Sequence, residues 1–393
     1  MDIPVQDTFL DYRYERYTIR YMNNTTHDVI IIGAGFAGLA CAQVLARQGV
    51  RTMVLERQAW PGTKIRTTGI LVKELAEAWN PPARYCKKID QVRLYSPNMT
   101  YLDLHSPDYY FLATDTRSLI RWHVEQAIQS GVSIRYGCSY RGSVTHNGNH
   151  IPRQTDLQCR YLIGCDGSRS RVAGHYALGR NKHFLLGVEA DFNPIPGLSD
   201  NHLHVFLDND LARGYIAWIV PGVGSTRIGL AARAPVIPAF DRLLAKLSRH
   251  WPIDTTVKPV FRSGLIPCGG LVHPYYMESV LLLGDAAGMV SPLTAGGIHP
   301  AIHIGDRAGQ LVAEHLLHRG ENPGRALRPE LPRYFFKSGL RYLFDHLPLN
   351  NRMYDSLINK PFFRLMAQTL FFHHRGLLSA AAWRDIISLS LET

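Results

Sequence analysis

The run Asp28-Val-Ile-Ile-Ile-Gly33-Ala-Gly35-Phe36-Ala37-Gly38-Leu39 constrains this chain more than any other stretch. Asp28 to Ile32 is short, apolar and rich in β-branched residues, the composition of a parallel strand buried on both faces. Three glycines follow at G-x-G-x-x-G spacing, where such a strand turns sharply into a helix. Gly33 permits the tight turn, Gly35 lets the backbone approach a pyrophosphate, and Gly38 lets the new helix pack against the strand. The helix start then aims unpaired N–H groups and a partial positive charge at a phosphate.

Alone, this spacing is weak evidence, and its surroundings strengthen it. A helix is predicted from about Ala37 to Gln48, Gly49 stops it, and Arg51 to Glu56 reads as a second parallel strand. Glu56 closes that strand roughly twenty residues on, where an acid accepts hydrogen bonds from an adenosine ribose. Arg57 follows it directly.

The chain has 393 residues, enough for two or three domains, and its 46% hydrophobic and 19% charged residues exclude a disordered chain. A formal charge of +11 favours anionic partners. No zinc finger, basic zipper or RNA-recognition motif accompanies that charge, so nucleic acid is not an expected partner. The six cysteines, Cys41, Cys86, Cys138, Cys159, Cys165 and Cys268, form no C-x-x-C pair. They read as reduced thiols of a cytoplasmic protein, with no metal site expected. The N-terminus carries Asp2, Asp7, Asp11 and Glu15 and no apolar run, unlike a signal peptide.

Residues 1–27 form an extension rich in tyrosine (Tyr12, Tyr14, Tyr17, Tyr21). A helix is predicted to open near Ile70, a strand pair over Tyr101 to Phe111, and a helix from Asp115-Thr116-Arg117 to about Ser130. Asn147-Gly148 marks a hairpin. An apolar strand from Tyr161 runs into Cys165-Asp166-Gly167, followed by Ser168, Arg169 and Arg171, which places an acceptor and phosphate donors at a strand's C-terminal edge. From His183 to about Pro267 short alternating strands take over, interrupted by a helix near Phe240 to Arg249. A buried strand returns at Ser279 and ends in Gly284-Asp285; Pro292 to Ile298 then open a long helix to about His315. Gly296 and Gly297 at its start let N–H groups approach a flat, electron-rich ligand, and the helix dipole stabilises the negative charge a reduced flavin carries.

The last seventy or so residues read as helical. Arg333, Lys337 and Arg341 recur at every fourth position as a basic stripe, with Phe336, Leu340, Leu343 and Phe344 opposite. The apolar run Phe362 to Phe372 is cut short by His373, His374 and Arg375, below the roughly twenty residues a spanning helix needs. These helices are read first as a cap on the second domain and second as lying on an anionic membrane surface.

The expected fold class is α/β: a Rossmann-like dinucleotide-binding domain (28–85, 112–180 and 275–320), FAD-binding by the resemblance given next, with an inserted, mainly antiparallel β substrate domain (86–111 and 181–274). A helical C-terminal region (321–393) follows.

Gly33 to Gly38 with Glu56, then Cys165-Asp166-Gly167, then Gly284-Asp285 with Pro292 to Ile298 resemble the three FAD fingerprints of the flavoprotein hydroxylase superfamily, over about residues 28–315. The resemblance implies that Glu56 binds the adenosine ribose and Asp285 the ribitol or pyrophosphate region. It also implies that Arg117 contacts FAD, and that Asp166 supports the pyrophosphate side with a role toward a nicotinamide donor. FAD is therefore the expected cofactor, with NADPH or NADH as a transient electron donor.

Within that superfamily the run Gly284 to Ile298 is most similar to the geranylgeranyl reductase branch. Tyr215-Ile-Ala-Trp218-Ile-Val-Pro221 resembles that branch's Tyr-x-Trp-x-Phe-Pro motif, with one extra residue after Tyr215 and Val220 in place of Phe. Arg66-Thr67-Thr68-Gly69 stands where many of its members carry Cys-Gly. Thr68, Tyr215, Trp218, Pro221 and His299 are thus substrate-side candidates, and no catalytic acid or base is assigned.

The implied activity is reduction of carbon–carbon double bonds in an isoprenoid or other apolar small molecule by hydride from reduced FAD. The alternatives are a monooxygenase acting through a C4a-hydroperoxyflavin, a halogenase, a non-redox cyclase, and a binding protein that keeps its flavin as a structural part. For the halogenase, Ile216 replaces the first Trp of Trp-x-Trp-x-Ile-Pro. A cytoplasmic location with peripheral membrane contact is the remaining expectation.

Overall fold

In a computed structural model of the protein, which describes residues 25–256, 259–346 and 350–372, the apolar run after Thr25 sits in the middle of a sheet. Strand Thr26–Ile32 is flanked by Gln158–Gly164 on one side and Thr52–Leu55 on the other, both parallel to it. Ser133–Arg135 and Val280–Leu282 extend the parallel order outward. Strands covered on both faces must be apolar on both, which is why Val29, Ile30 and Ile31 are consecutive and fully buried. The strand begins two residues before Asp28, inside the expected extension. The remainder of that extension, and His373 to Arg375, lie outside the described residues.

The first helix, Phe36–Arg47, packs along the later helix Ile298–His318. A methyl group placed on Gly305 would lie 2.8 Å from the carbonyl oxygen of Ala37, and one on Gly309 would lie 2.8 Å from that of Cys41. The two helices therefore touch backbone to backbone. Their shared approach brings both glycine-rich turns, 260 residues apart in sequence, to the same end of the sheet.

The second sheet has seven strands in the order Val260–Pro267, Phe184–Phe192, Thr226–Arg233, Ala217–Pro221, His202–Phe206, Gln91–Tyr95 and Tyr101–His105. Its neighbours are antiparallel except His202–Phe206 with Gln91–Tyr95. This is the mainly antiparallel inserted domain that the alternating pattern predicts. A third, three-stranded sheet joins Ile70–Val72, Phe111–Thr114 and Cys86–Ile89. Cys86–Ile89 thus pairs with Phe111–Thr114 rather than with the large sheet.

One expectation needs correction. Ile70 opens a strand, and the helix starts only at Lys73 and runs to Trp79. Ile70-Leu71-Val72 finds a partner strand in Phe111–Thr114, and that pairing decides a run too short for periodicity to decide. Within the basic stripe Arg333 is exposed, Lys337 is half-buried and Arg341 is taken inside. Arg341 is buried, donates to Asp345 at 3.0 Å and holds the Gly214 carbonyl at 2.5 Å. As the first reading of the C-terminal region expects, helix Pro361–Phe372 caps the second sheet. Phe363, Ala367 and Phe372 share a core with Leu102, Leu104 and Phe111.

Substituting Gly305→Val should force the two helices apart, costing about 1–3 kcal/mol as overpacking, and should lower the thermal unfolding midpoint. Gly339→Ala is the control: a methyl there meets nothing within 4 Å, so the roughly 1 kcal/mol helix-propensity gain should leave the midpoint level or raised.

Candidate functional site

The site begins at the first glycine turn. Gly33 has φ +110°, and a methyl group on it would sit 2.4 Å from the Cys165 carbonyl oxygen. On Gly38 a methyl would lie 2.1 Å from the Gly33 carbonyl oxygen, so the helix rests directly on the turn. At Gly35 it would meet nothing within 4 Å, because that residue faces open space. No side chain caps the first helix at Gly35, and none caps Ile298–His318 at Gly297. Both sets of first-turn N–H groups are left for a ligand or water.

Three carboxylates converge on these turns. Glu56 accepts from the N–H of Ala34 and from that of Gln58, each at 2.8 Å, which fixes the end of the second strand across the turn. Asp166 accepts from Arg171 N–H at 2.6 Å and Val172 N–H at 3.2 Å through one oxygen. Its other oxygen is buried without a partner. Asp285 sits in the short helical turn Gly284–Ala287, and burial pushes its carboxyl up to about 6. A methyl on Gly297 would lie 3.5 Å from its Oδ1.

One cavity of about 1210 Å³ collects these groups. Its wall includes Gly33, Gly35, Phe36, Ala37, Glu56, Arg57, Asp166, Gly284, Asp285, Gly296, Gly297 and Ile298. Thr68, Tyr215, Trp218 and His299 line it farther along. Burial pushes the Tyr215 hydroxyl well above the usual tyrosine range, so it stays protonated. Burial, with Arg57 close by, pulls Arg66 below the usual guanidinium value, and this stretch of wall therefore favours an anion.

Four candidates stand off the wall. Gly38 is taken up by its contact with Gly33. Pro292 is buried in a loop that closes on itself through Ser291 N–H to Gly296 O at 3.1 Å. Arg117 is exposed on helix Thr116–Gln129 and backs Gly62, where a methyl would meet its Cγ at 3.1 Å. Pro221 is three residues beyond Trp218 on one strand, and odd spacing turns it to the opposite face.

Sequence reasoning missed the polar floor. Buried Glu189 accepts through Oε2 from the Thr68 hydroxyl at 2.8 Å and the Trp218 indole N–H at 3.3 Å. Its Oε1 lies 3.2 Å from Arg262 Nε, an ion pair by distance without hydrogen-bond alignment. Arg262 also bonds Asp191 at 2.8 Å. Buried Arg227 holds the carbonyls of Thr68 and Thr114, with its Nε 3.6 Å from Asp191. Gly229 leaves room for the indole, since a methyl there would lie 2.6 Å from the Trp218 ring. The available signal was Glu189 and Asp191, two acids at alternate positions of one strand.

Residues 28–103 match the model of FAD dependent oxidoreductases, and residues 96–322 match that of the FAD binding domain. The chain belongs to this FAD-binding family. It is an FAD-dependent oxidoreductase, and the cavity suits that cofactor: an open face at Gly35, two uncapped helix starts and an unpartnered Asp166 oxygen meet on one wall. A relative from Methanopyrus kandleri, digeranylgeranylglycerophospholipid reductase 2, is 27% identical over 315 residues, 73% of this chain and 77% of its own. A geranylgeranyl bacteriochlorophyll reductase-like protein from Thermoplasma acidophilum has the same fold, with a TM-score of 0.77 and 17% identity, covering 92% of this chain and 96% of that one. The myxobacterial chondrochloren halogenase CndH shares the fold too, with a TM-score of 0.66 and 15% identity, covering 93% and 96%.

Glu189→Ala removes the shared acceptor of the Thr68 hydroxyl and the Trp218 indole N–H while Arg262 keeps Asp191, and should cost about 1–3 kcal/mol, with a red-shifted, weaker Trp218 fluorescence signal; Glu189→Gln should recover most of the indole signal. A second expectation concerns pH. The folded state holds the Asp285 proton more tightly than an unfolded chain does, so its neutral form favours the fold at low pH and that advantage is lost as pH rises through about 6. Flavin-free Asp285→Asn should therefore melt above the flavin-free parent at about pH 8 and level with it near pH 4, read by differential scanning fluorimetry.

Proposed function

We propose that this oxidoreductase reduces carbon–carbon double bonds of a long apolar, isoprenoid-like substrate, with NADPH or NADH as the electron donor. The observation that carries the reading is the far wall of the cavity. Beyond Thr68 and Trp218 it is lined by Leu94, Phe111, Val205, Leu207, Phe363 and Phe371, an apolar channel suited to an extended chain. The name of the Methanopyrus relative supports the same substrate class.

FAD, when bound and reduced, supplies a hydride. Everything else falls to the side chains. Gly33, Gly35 and the two helix starts receive phosphate and ring oxygens, Glu56 and Asp285 accept from hydroxyls, and Arg57 and Arg66 balance the pyrophosphate charge. Trp218, locked by Glu189, and Tyr215 form a rigid wall that holds an alkene against the cofactor's end of the cavity and excludes water. His299, on the first turn of Ile298–His318, lines the same cavity and is the side chain there that brings a polar hydrogen to the alkene, since the Thr68 hydroxyl donates to Glu189.

Incubating the flavin-loaded protein without oxygen, with NADPH and a geranylgeranyl lipid, should give products heavier by two hydrogens for each bond reduced, read by mass spectrometry. Products carrying one added oxygen atom, formed only in air, would instead assign a monooxygenase and overturn the reading. In the reductase case Trp218→Ala should raise KM by about tenfold while flavin reduction by NADPH keeps its rate.

A further inference from the structure

Helices Phe335–His346 and Pro361–Phe372 each present large apolar side chains in two directions. Inward, Leu340, Phe344, Phe363 and Leu370 line the cavity. Outward, Phe335 is 93% exposed, Phe362 72% and Tyr342 66%. Phe335 and Tyr342 stand seven residues apart on one helix and Phe362 and Met366 four apart on the other, so each helix carries its exposed apolar residues as a stripe. A surface helix normally keeps such residues on the core side, and a stripe facing out marks an interaction surface. Phe336 and Met366 belong to both sets, since they line the cavity and are exposed, and so they stand at its rim.

The charge on this region has one sign. Arg333, Arg352, Lys360 and Arg364 are exposed. Of the two acids between residues 333 and 372, Asp345 is spent on Arg341, and Asp355 accepts from Asn98 N–H. Among the described residues no helix is long and apolar enough to cross a membrane, which limits the face to lying on a surface.

We propose that this face docks on an anionic lipid surface, so that an apolar substrate passes between bilayer and cavity past Phe336 and Met366 without crossing water. A second copy of the chain fits less well. A two-fold contact sets the same patch against itself, and here it would bring like cations together. Exposed aromatics with flanking Lys and Arg are what an anionic interface attracts. The inference reaches beyond the proposed reduction and shares with it only the apolar substrate, so its test reads binding and not turnover.

The full-length, flavin-loaded protein is mixed with sucrose-filled vesicles of phosphatidylcholine, with or without phosphatidylglycerol, and pelleted. It should pellet with the phosphatidylglycerol vesicles, bind pure phosphatidylcholine about tenfold more weakly, and be released by added salt. The double change Phe335→Asp with Phe362→Asp, at two positions off the cavity wall, should weaken binding by about tenfold or more with an unchanged flavin spectrum. Lys360→Gln with Arg364→Gln keeps the aromatics and should weaken only the phosphatidylglycerol case, which retains the test if the aspartate pair misfolds. Wild-type protein that binds neither vesicle, or variants that bind like wild type, would overturn the proposal. A dimer on size-exclusion chromatography that the aspartate pair breaks would overturn it too, giving the face to a second copy. Docking without alkene reduction would sink the reaction alone, and reduction without docking would sink the surface alone.

Discussion

The close approach of backbone to backbone around Gly33 is the contact on which the rest of the molecule depends. The Gly33 turn has no room for a side chain on one flank, where Cys165 presents its carbonyl, and Gly38 has none where it meets Gly33 itself. A single methyl at either place would have to displace main chain, and main chain in the centre of a parallel sheet cannot move without its neighbours. The first helix therefore leaves the sheet at one angle only. Helix Ile298–His318 then docks on it through Gly305 and Gly309, at distances that again admit no side chain. Two helix starts are thereby held facing one cavity, and neither spends its N–H groups on a side-chain cap.

The second domain is tied to the first by charge. Glu189, Asp191, Arg227 and Arg262 balance as two acids and two bases, and between them they hold the main chain of Thr68 and Thr114, the Thr68 hydroxyl and the Trp218 indole. A buried ionic cluster of this kind is weak evidence for stability, because desolvation offsets most of its Coulombic gain. Its effect is better seen as orientation. An apolar floor would seat Thr68 and Trp218 in several rotamers, whereas hydrogen bonds from both to one oxygen leave each a single place. The loop at Thr68 comes from the first domain and Trp218 from the second, so the cluster also sets how the inserted sheet lies over the cavity.

Elements whose cause is local were legible in the sequence. The Asn147-Gly148 turn is an example: both residues take positive φ, 49° and 75°, as a two-residue hairpin demands. The strand before Gly33 and the alternation from His183 were legible for the same reason. Ile70 to Val72 was not, because three apolar residues have no period and their partner strand comes forty residues later. Periodicity places Arg341 in a basic stripe but is silent on its burial, which comes with the Gly214 carbonyl it holds on a different domain. The floor at Glu189 was hidden more deeply. Its members come from residues 68, 189, 218, 227 and 262, and only the antiparallel register that sets Glu189 beside Arg262 and Asp191 beside Arg227 brings them together.

The cavity changes character along its length, and that gradient bears on how reaction and substrate are kept apart from water. At the glycine turns the wall is polar and basic, with Arg57 and Arg66 beside Glu56; past Trp218 it includes Leu94, Phe111, Val205, Leu207, Phe363 and Phe371. A charged, hydrated molecule gains at the first end and loses at the second, while an apolar chain does the reverse. The boundary falls where Glu189 fixes Trp218, so the ring that separates the two regions is also a side chain whose position the ionic cluster determines. Burying an extended apolar chain is worth about 0.8 kcal/mol per CH₂, and none of that gain is recovered if water shares the channel. The C-terminal helices supply part of the wall, through Leu340, Phe344, Phe363 and Leu370 beside Lys337 and Arg341. Outward, Phe335, Tyr342 and Phe362 have no core to fill, which separates them from the inward set by cause as well as by direction.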